Sequence, residues 1–268
     1  MADLSVTEPT PGGPAAELVR FEVAGGVATI TLNSPANRNA LSAAVRSALT
    51  TALTVAAADP AARVVVLGHD GPVFCSGMDL KEEAVAAPGR EGVRELPTIL
   101  QLISGCPRPV VAAVRGPARA GGIGLLAASD IVVAAPTATF AFSEVRVGVI
   151  PAVLSVPVLH RVAPAAAREL LLTGEVFGAE RALQIGLVNA VDDDVDAVVA
   201  RFVRALQSGG PHALAGTKAL LGRGVDDSDS RYAELLQISA AQFATDEAKE
   251  GARAFADKRP AEWVPLSG

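Results

Sequence analysis

The stretch that most restricts the fold runs from Val110 to Asp130: Val-Val-Ala-Ala-Val-Arg-Gly-Pro-Ala-Arg-Ala-Gly-Gly-Ile-Gly-Leu-Leu-Ala-Ala-Ser-Asp. Pro109 to Val114 reads as a short apolar strand, followed by a tight connection and a helix that opens on glycines. Gly121 and Gly122 have no side chain, so another molecule can approach their backbone closely. The first N–H groups of a helix have no partner inside it, and the dipole there favours negative charge. A strand feeding such a helix start suits the binding of an anion or the stabilisation of an oxyanion.

The flanking chain supplies the rest of an α/β core. Glu17 to Val23 and Val27 to Leu32 form a β-hairpin around Gly25-Gly26. Asn39 is expected to cap a helix carrying the apolar stripe Leu41, Val45, Leu49 and Leu53, which Asp59-Pro60 ends. Arg63 to Gly68 is a buried strand suited to a parallel sheet covered on both faces. A helix is expected from about Val93 to Ile103, after a loop at Pro88-Gly89. Short strands at Asp130 to Ala134 and Ala138 to Phe142 follow, then a loop from Ser143 to Pro151. Beyond it helices dominate: Pro164 to Leu172, Gly178 to Ile185, Val195 to Gln207, His212 to Leu221, Arg231 to Phe243 and Glu247 to Phe255.

Composition excludes several classes. The 268 residues carry a net charge of −6 without a basic block, which argues against nucleic acid as the main partner. No apolar run reaches the ~18 residues needed to cross a bilayer, and no signal-peptide pattern opens the chain. Two cysteines, Cys75 and Cys106, make no disulfide framework, so a reduced, cytoplasmic protein is expected. His69, His160 and His212 lack metal-ligand spacing, and no metal site is expected.

Three groups invite chemistry. Gly122-Ile-Gly124-Leu-Leu-Ala127 matches a dinucleotide fingerprint, but Arg115 to Gly121 separate it from the strand. Close helix packing explains the same glycines. Phe74-Cys-Ser-Gly-Met-Asp-Leu80 repeats the strand-end, glycine, helix-start shape, so the Met78 and Gly121 N–H groups are candidates to meet at one carbonyl oxygen. Within it Cys75 is either a nucleophile or a small buried residue. Glu144 lies in an apolar stretch: it is either a carboxylate of raised pKa, suited to acid/base work, or a solvated loop residue paired with Arg146.

The ordered combination resembles the enoyl-CoA hydratase/isomerase (crotonase) superfamily. It comprises Asn33-Ser-Pro35 with Asn39-Ala-Leu41, Phe74 to Lys81, Gly116 to Gly122 with Ser129-Asp-Ile131, and Phe140 to Pro151. Leu171 to Gly174, Ala179 to Asn189 and Phe255 to Arg259 extend it over nearly the whole chain from about residue 17. The resemblance implies a spiral of ββα turns with a C-terminal helical trimerisation region, giving a homotrimer or dimer of trimers. The Pro/Gly-rich start, Thr7 to Pro14, reads as part of a disordered tail at 1–15, and the resemblance adds a crotonase-like core at 16–200 and a helical region at 201–268. It implies an acyl-CoA thioester as substrate, no separate cofactor, and a place in fatty acid or lipid metabolism. The oxyanion hole falls on the N–H groups of Met78 and Gly121, beside Gly122, and the CoA-contacting backbone on Arg38, Ala40, Met78, Asp79, Leu80 and Lys81. Arg38, Lys81, Lys258 and Arg259 are candidates for the CoA phosphates, and Glu82 to Leu102 for the acyl pocket. Glu144 matches the family's second catalytic glutamate, while the first falls at Gly124. Hydration of a 2-enoyl-CoA is the expected reaction. Double-bond isomerisation with Glu144 as single proton shuttle, thioester hydrolysis and non-catalytic acyl-CoA binding are the alternatives.

Overall fold

A computed structural model describes residues 17–83, 92–222 and 245–264. Strands β1 (Val19–Ala24) and β2 (Val27–Leu32) form the expected antiparallel hairpin. β2 continues in parallel onto β3 (Val64–His69), β4 (Val110–Val114), β6 (Ile131–Ala134) and β9 (Ala190–Val191), so the main sheet runs β1-β2-β3-β4-β6-β9. A smaller sheet of β5 (Ala118–Arg119), β7 (Thr139–Ala141) and β8 (Phe177–Gly178) lies apart from it.

Side chains alternate across the parallel strands, and both faces are covered. Val65, Leu67, Ala112, Val114 and Val132 face one apolar cluster with α1 (Ala43–Ala58), α3 (Leu96–Ser104) and α4 (Gly121–Ala128). Val64, Val111, Ala113 and Val133 face the other way, onto Val195, Val199 and Val203 of α8 (Val195–Gln207). The division expected at residue 200 falls inside α8, which lies on the sheet. Each fully buried Val or Leu contributes roughly 1.5–3 kcal/mol, so the two clusters dominate stability.

Local signals fix the helix ends. Ser42 caps α1 by accepting from the Val45 N–H, at 3.3 Å. The cap expected from Asn39 is corrected: that residue is fully buried at φ 52°, and its side chain donates to the Asp70 and Val73 carbonyls instead. α3 starts at Leu96, after a 3-10 turn over Gly92–Arg94. Between the loop at residue 150 and α6 (Pro164–Thr173) stands a helix the sequence reading did not place, α5 (Ala152–Arg161), with Pro157 inside it. After α7 (Ala179–Gln184) and α8 come α9 (Pro211–Leu221) and α10 (Asp246–Asp257), with the Glu247 carboxylate capping α9 at His212 and Ala213. The helix expected at 231–243, the tail at 1–15 and the loop at Pro88-Gly89 lie outside the described residues. Among the described residues no helix is long and apolar enough to cross a membrane, and no His/Cys/Asp/Glu group could hold a metal.

Candidate functional site

The site forms where the chain leaves the C-terminal ends of the neighbouring parallel strands β3 and β4. The two departing segments keep step with each other. The Phe74 N–H donates to the Pro117 carbonyl at 3.0 Å, the Arg119 N–H donates to the Cys75 carbonyl at 2.9 Å, and Cys75 pairs with Ala118 in parallel. Counting three residues on from that pair brings Met78 beside Gly121. The contact is close: a Cβ on Gly77 would lie 3.5 Å from the Gly121 nitrogen, 3.2 Å from the Arg119 carbonyl and 2.9 Å from the Ala120 Cβ. Gly77 also sits at φ +91°, a conformation that side chains rarely adopt.

Hydrogen bonds on the carbonyl side of each peptide fix where the two amides point. In a trans peptide the C=O and N–H are opposed. The Leu41 N–H donates to the Gly77 carbonyl at 2.8 Å, so the Met78 N–H is turned away from Leu41. The Ala120 carbonyl accepts from Ile123 at 2.9 Å and Gly124 at 3.3 Å, so the Gly121 N–H faces away from the body of α4. Among the described residues neither amide has an acceptor. Ala120 itself sits at φ 48°, ψ −121°, a glycine-type conformation whose strain is on the order of 1–3 kcal/mol. The pair is a candidate backbone anion site.

Glu144 lies on a 3-10 turn, Ser143–Val147, directly after β7. It is 8% exposed, and its Oε2 is buried without a hydrogen-bond partner. Burial raises its pKa above the ordinary carboxylate value, and a hydrogen bond from its own backbone partly offsets this. Among the described residues no ion pair joins it to Arg146, whose stem instead lies over Gly174. Of the two readings open in the sequence, the buried carboxylate is the one observed. Such a group holds its proton to higher pH than an ordinary carboxylate.

Position 124 is closed. A Cβ on Gly124 would lie 3.2 Å from Leu154 Cβ and 3.4 Å from Leu100 Cδ2, so α4 meets α5 and α3 across this glycine. A Cβ on Gly122 would lie 2.7 Å from the Cys75 carbonyl. The glycines of the dinucleotide-like fingerprint thus serve packing inside a fully buried helix. Cys75 is a small buried residue, its thiol pushed up to about 12 by desolvation, which leaves no reactive thiolate.

The remaining expected residues are spread along the rim. Arg38 is exposed at φ 52°, and its carbonyl accepts from the Ser76 N–H at 3.1 Å; Ala40 is buried beside it. The Asp79 carboxylate accepts from Asn37 Nδ2 at 2.8 Å and from the Lys81 N–H at 3.0 Å. These bonds hold its carboxyl below the usual range and start α2 (Leu80–Glu83), leaving Leu80 and Lys81 exposed. Arg259 is already bound to both Glu250 oxygens at 2.7 and 3.0 Å, so as a phosphate ligand it would first have to leave a carboxylate. Sequence reasoning placed Leu100 only within the broad Glu82 to Leu102 stretch offered for the acyl pocket, and it missed Leu154 and Arg46 as neighbours of the site. Only Arg46 left a trace, as a cation at helical spacing from Leu49 and Leu53.

The family model for enoyl-CoA hydratase/isomerase matches residues 22–265. An enoyl-CoA hydratase of Mycobacterium tuberculosis is 35% identical over 248 residues, covering 88% of this chain and 92% of that one. The crystal structure of an enoyl-CoA hydratase of Mycobacterium smegmatis matches at TM-score 0.86 and 36% identity, covering 92% and 99% of the two chains. That of an enoyl-CoA hydratase from Shewanella pealeana matches at TM-score 0.86 and 30% identity, covering 92% and 96%. With its crotonase fold, this chain belongs to the enoyl-CoA hydratase/isomerase family.

Proposed function

We propose that the chain hydrates a 2-enoyl-CoA thioester, with the Met78 and Gly121 amides on the thioester oxygen and Glu144 as the acid/base. The observation that carries this reading is a pair of adjacent acceptor-free amides together with a buried carboxylate whose oxygen is unpartnered, on the turn after β7, the strand that pairs with the segment leading to Gly121. Two preorganised donors favour the enolate-like state over the neutral carbonyl. In the addition, Glu144 takes a proton from water as the oxygen bonds to carbon 3. The electron pair moves onto the thioester oxygen, and carbon 2 then takes the proton back from Glu144. No cofactor beyond the substrate's own CoA enters these steps.

A second reading, double-bond migration, is favoured by the closed position 124. With Leu100 and Leu154 where a second carboxylate would project, Glu144 works alone. One carboxylate suffices to remove a proton from carbon 2 of a 3-enoyl-CoA and return it to carbon 4. The two readings separate on products from 2-enoyl-CoA and 3-enoyl-CoA. Formation of 3-hydroxyacyl-CoA supports hydration, 2-enoyl-CoA from the 3-enoyl substrate supports migration, and free CoA would indicate hydrolysis. Inertness with retained acyl-CoA binding would leave a binding protein.

The same reading includes a homotrimer or a dimer of trimers. Exposed Ile150, Val156, Leu159 and Leu172, close together in sequence, support an assembly that covers them. Two buried free cysteines fit a reduced, cytoplasmic setting, and acyl-CoA chemistry a role in lipid metabolism.

A further inference from the structure

Arg46 projects from α1 with a side chain only 4% exposed. Its Nη1 donates to the Leu41 carbonyl at 2.7 Å, and its Nε donates to Glu95 Oε2 at 2.9 Å. Glu82 Oε2 stands 3.7 Å from Nη1, and the guanidinium lies so close over Gly92 that a Cβ there would have to displace it. One buried cation thus joins α1, the end of α2, the 3-10 turn and the residue before α3. Its carboxylate partners are exposed, so the ion pairs add little net stability, while burying the cation costs desolvation. An aliphatic residue here would simply extend the stripe of Leu49 and Leu53. What Arg46 supplies is direction.

Its bonds lead to both amides. Leu41, whose carbonyl Arg46 holds, donates its own N–H to the Gly77 carbonyl at 2.8 Å. That bond sets the plane of the Gly77–Met78 peptide and so the aim of the Met78 N–H. The Leu41 side chain also walls Gly121, with Cδ1 3.3 Å from where a Cβ would stand, and Leu96 Cδ2 is 3.6 Å from the same point. Leu96 directly follows Glu95, the second group Arg46 grips. We propose that Arg46 is a positioning residue that, through Leu41 and Glu95, keeps the Met78 and Gly121 amides aimed at one oxygen. This rests on the oxyanion reading above.

Infrared spectroscopy of bound butyryl-CoA, labelled with carbon-13 at the thioester carbonyl, tests it, because the saturated chain cannot be hydrated. In the wild-type protein the bound carbonyl stretch should lie below that of the free thioester. In Arg46→Met the lowering should shrink, with Arg46→Lys in between. With the turned-over substrate, kcat should fall about 10–100-fold in Arg46→Met while KM stays within about threefold, part of the 10²–10³ that a lost donor costs. A purely structural arginine would lower the folded fraction without moving the stretch of the bound molecules. If Arg46→Met does not fold, Arg46→Lys and the exposed Glu95→Ala carry the test, each with a partial loss expected. Full lowering in the folded variants overturns the role of Arg46 and leaves the amide pair standing. No lowering in the wild-type protein overturns both.

Discussion

The amide pair and the Glu144 turn are held by opposite means. Met78 and Gly121 are fixed by backbone: a parallel register through Cys75 and Ala118, and carbonyl bonds that set each peptide plane. No side chain of their own enters. Glu144 is a side chain held at the end of β7 by burial, with one oxygen lacking any partner. In the proposed reaction the first arrangement stabilises charge that develops on the thioester oxygen, and the second moves a proton. The contrast teaches that the donors are altered only by changing their neighbours, whereas the carboxylate can be removed alone.

Removing the carboxylate should have the largest effect. Glu144→Gln keeps shape and burial, and kcat should fall by about 10²–10⁴ while acyl-CoA affinity persists, read by steady-state kinetics and titration. On the other side of the comparison, Gly77→Ala should spread the amides. Its methyl would meet Ala120 Cβ at 2.9 Å in a conformation of positive φ. We expect a loss of about 10²-fold in kcat and about 2–3 kcal/mol of stability by denaturant titration.

Gly124→Glu asks whether the closed flank can hold a second carboxylate. It has to displace Leu154 and Leu100 and bury a charge, so it should cost about 3 kcal/mol or more and leave the products unchanged. Ala120→Gly should act the other way. Releasing the strain at φ 48°, less the greater freedom of glycine in the unfolded chain, should raise stability by about 1 kcal/mol. The smallest effect is on the pH dependence of stability. Glu144 holds its proton to higher pH in the folded state than in the unfolded one, so the folded state binds more protons in that window. The wild-type protein should therefore lose stability as pH rises from the ordinary carboxylate range to the raised value, and Glu144→Gln should flatten that slope.

The sequence made the parallel core legible because buried strands such as Val64 to Gly68 leave an unbroken apolar run. It also pointed to Met78, Gly121 and Glu144, since glycines at helix starts and a charge among apolar neighbours are local features. What it left unread depends on contacts distant in the chain. Nothing near Gly124 says that Leu100 and Leu154 close over it. Asn39 looks like a cap until Asp70 and Val73 claim its amide. Helix α5 went unplaced: Pro151, which ended the expected loop, directly precedes it, and Pro157, of a type that ordinarily breaks helices, is carried within it.

The most direct measurement is a crystal structure of the protein with a bound, unreactive acyl-CoA. The thioester oxygen should lie about 2.7–3.1 Å from both the Met78 and Gly121 nitrogens, with the Glu144 carboxylate facing carbons 2 to 4. An oxygen that touches neither amide, or a Glu144 side chain turned to solvent in the complex, would contradict this arrangement.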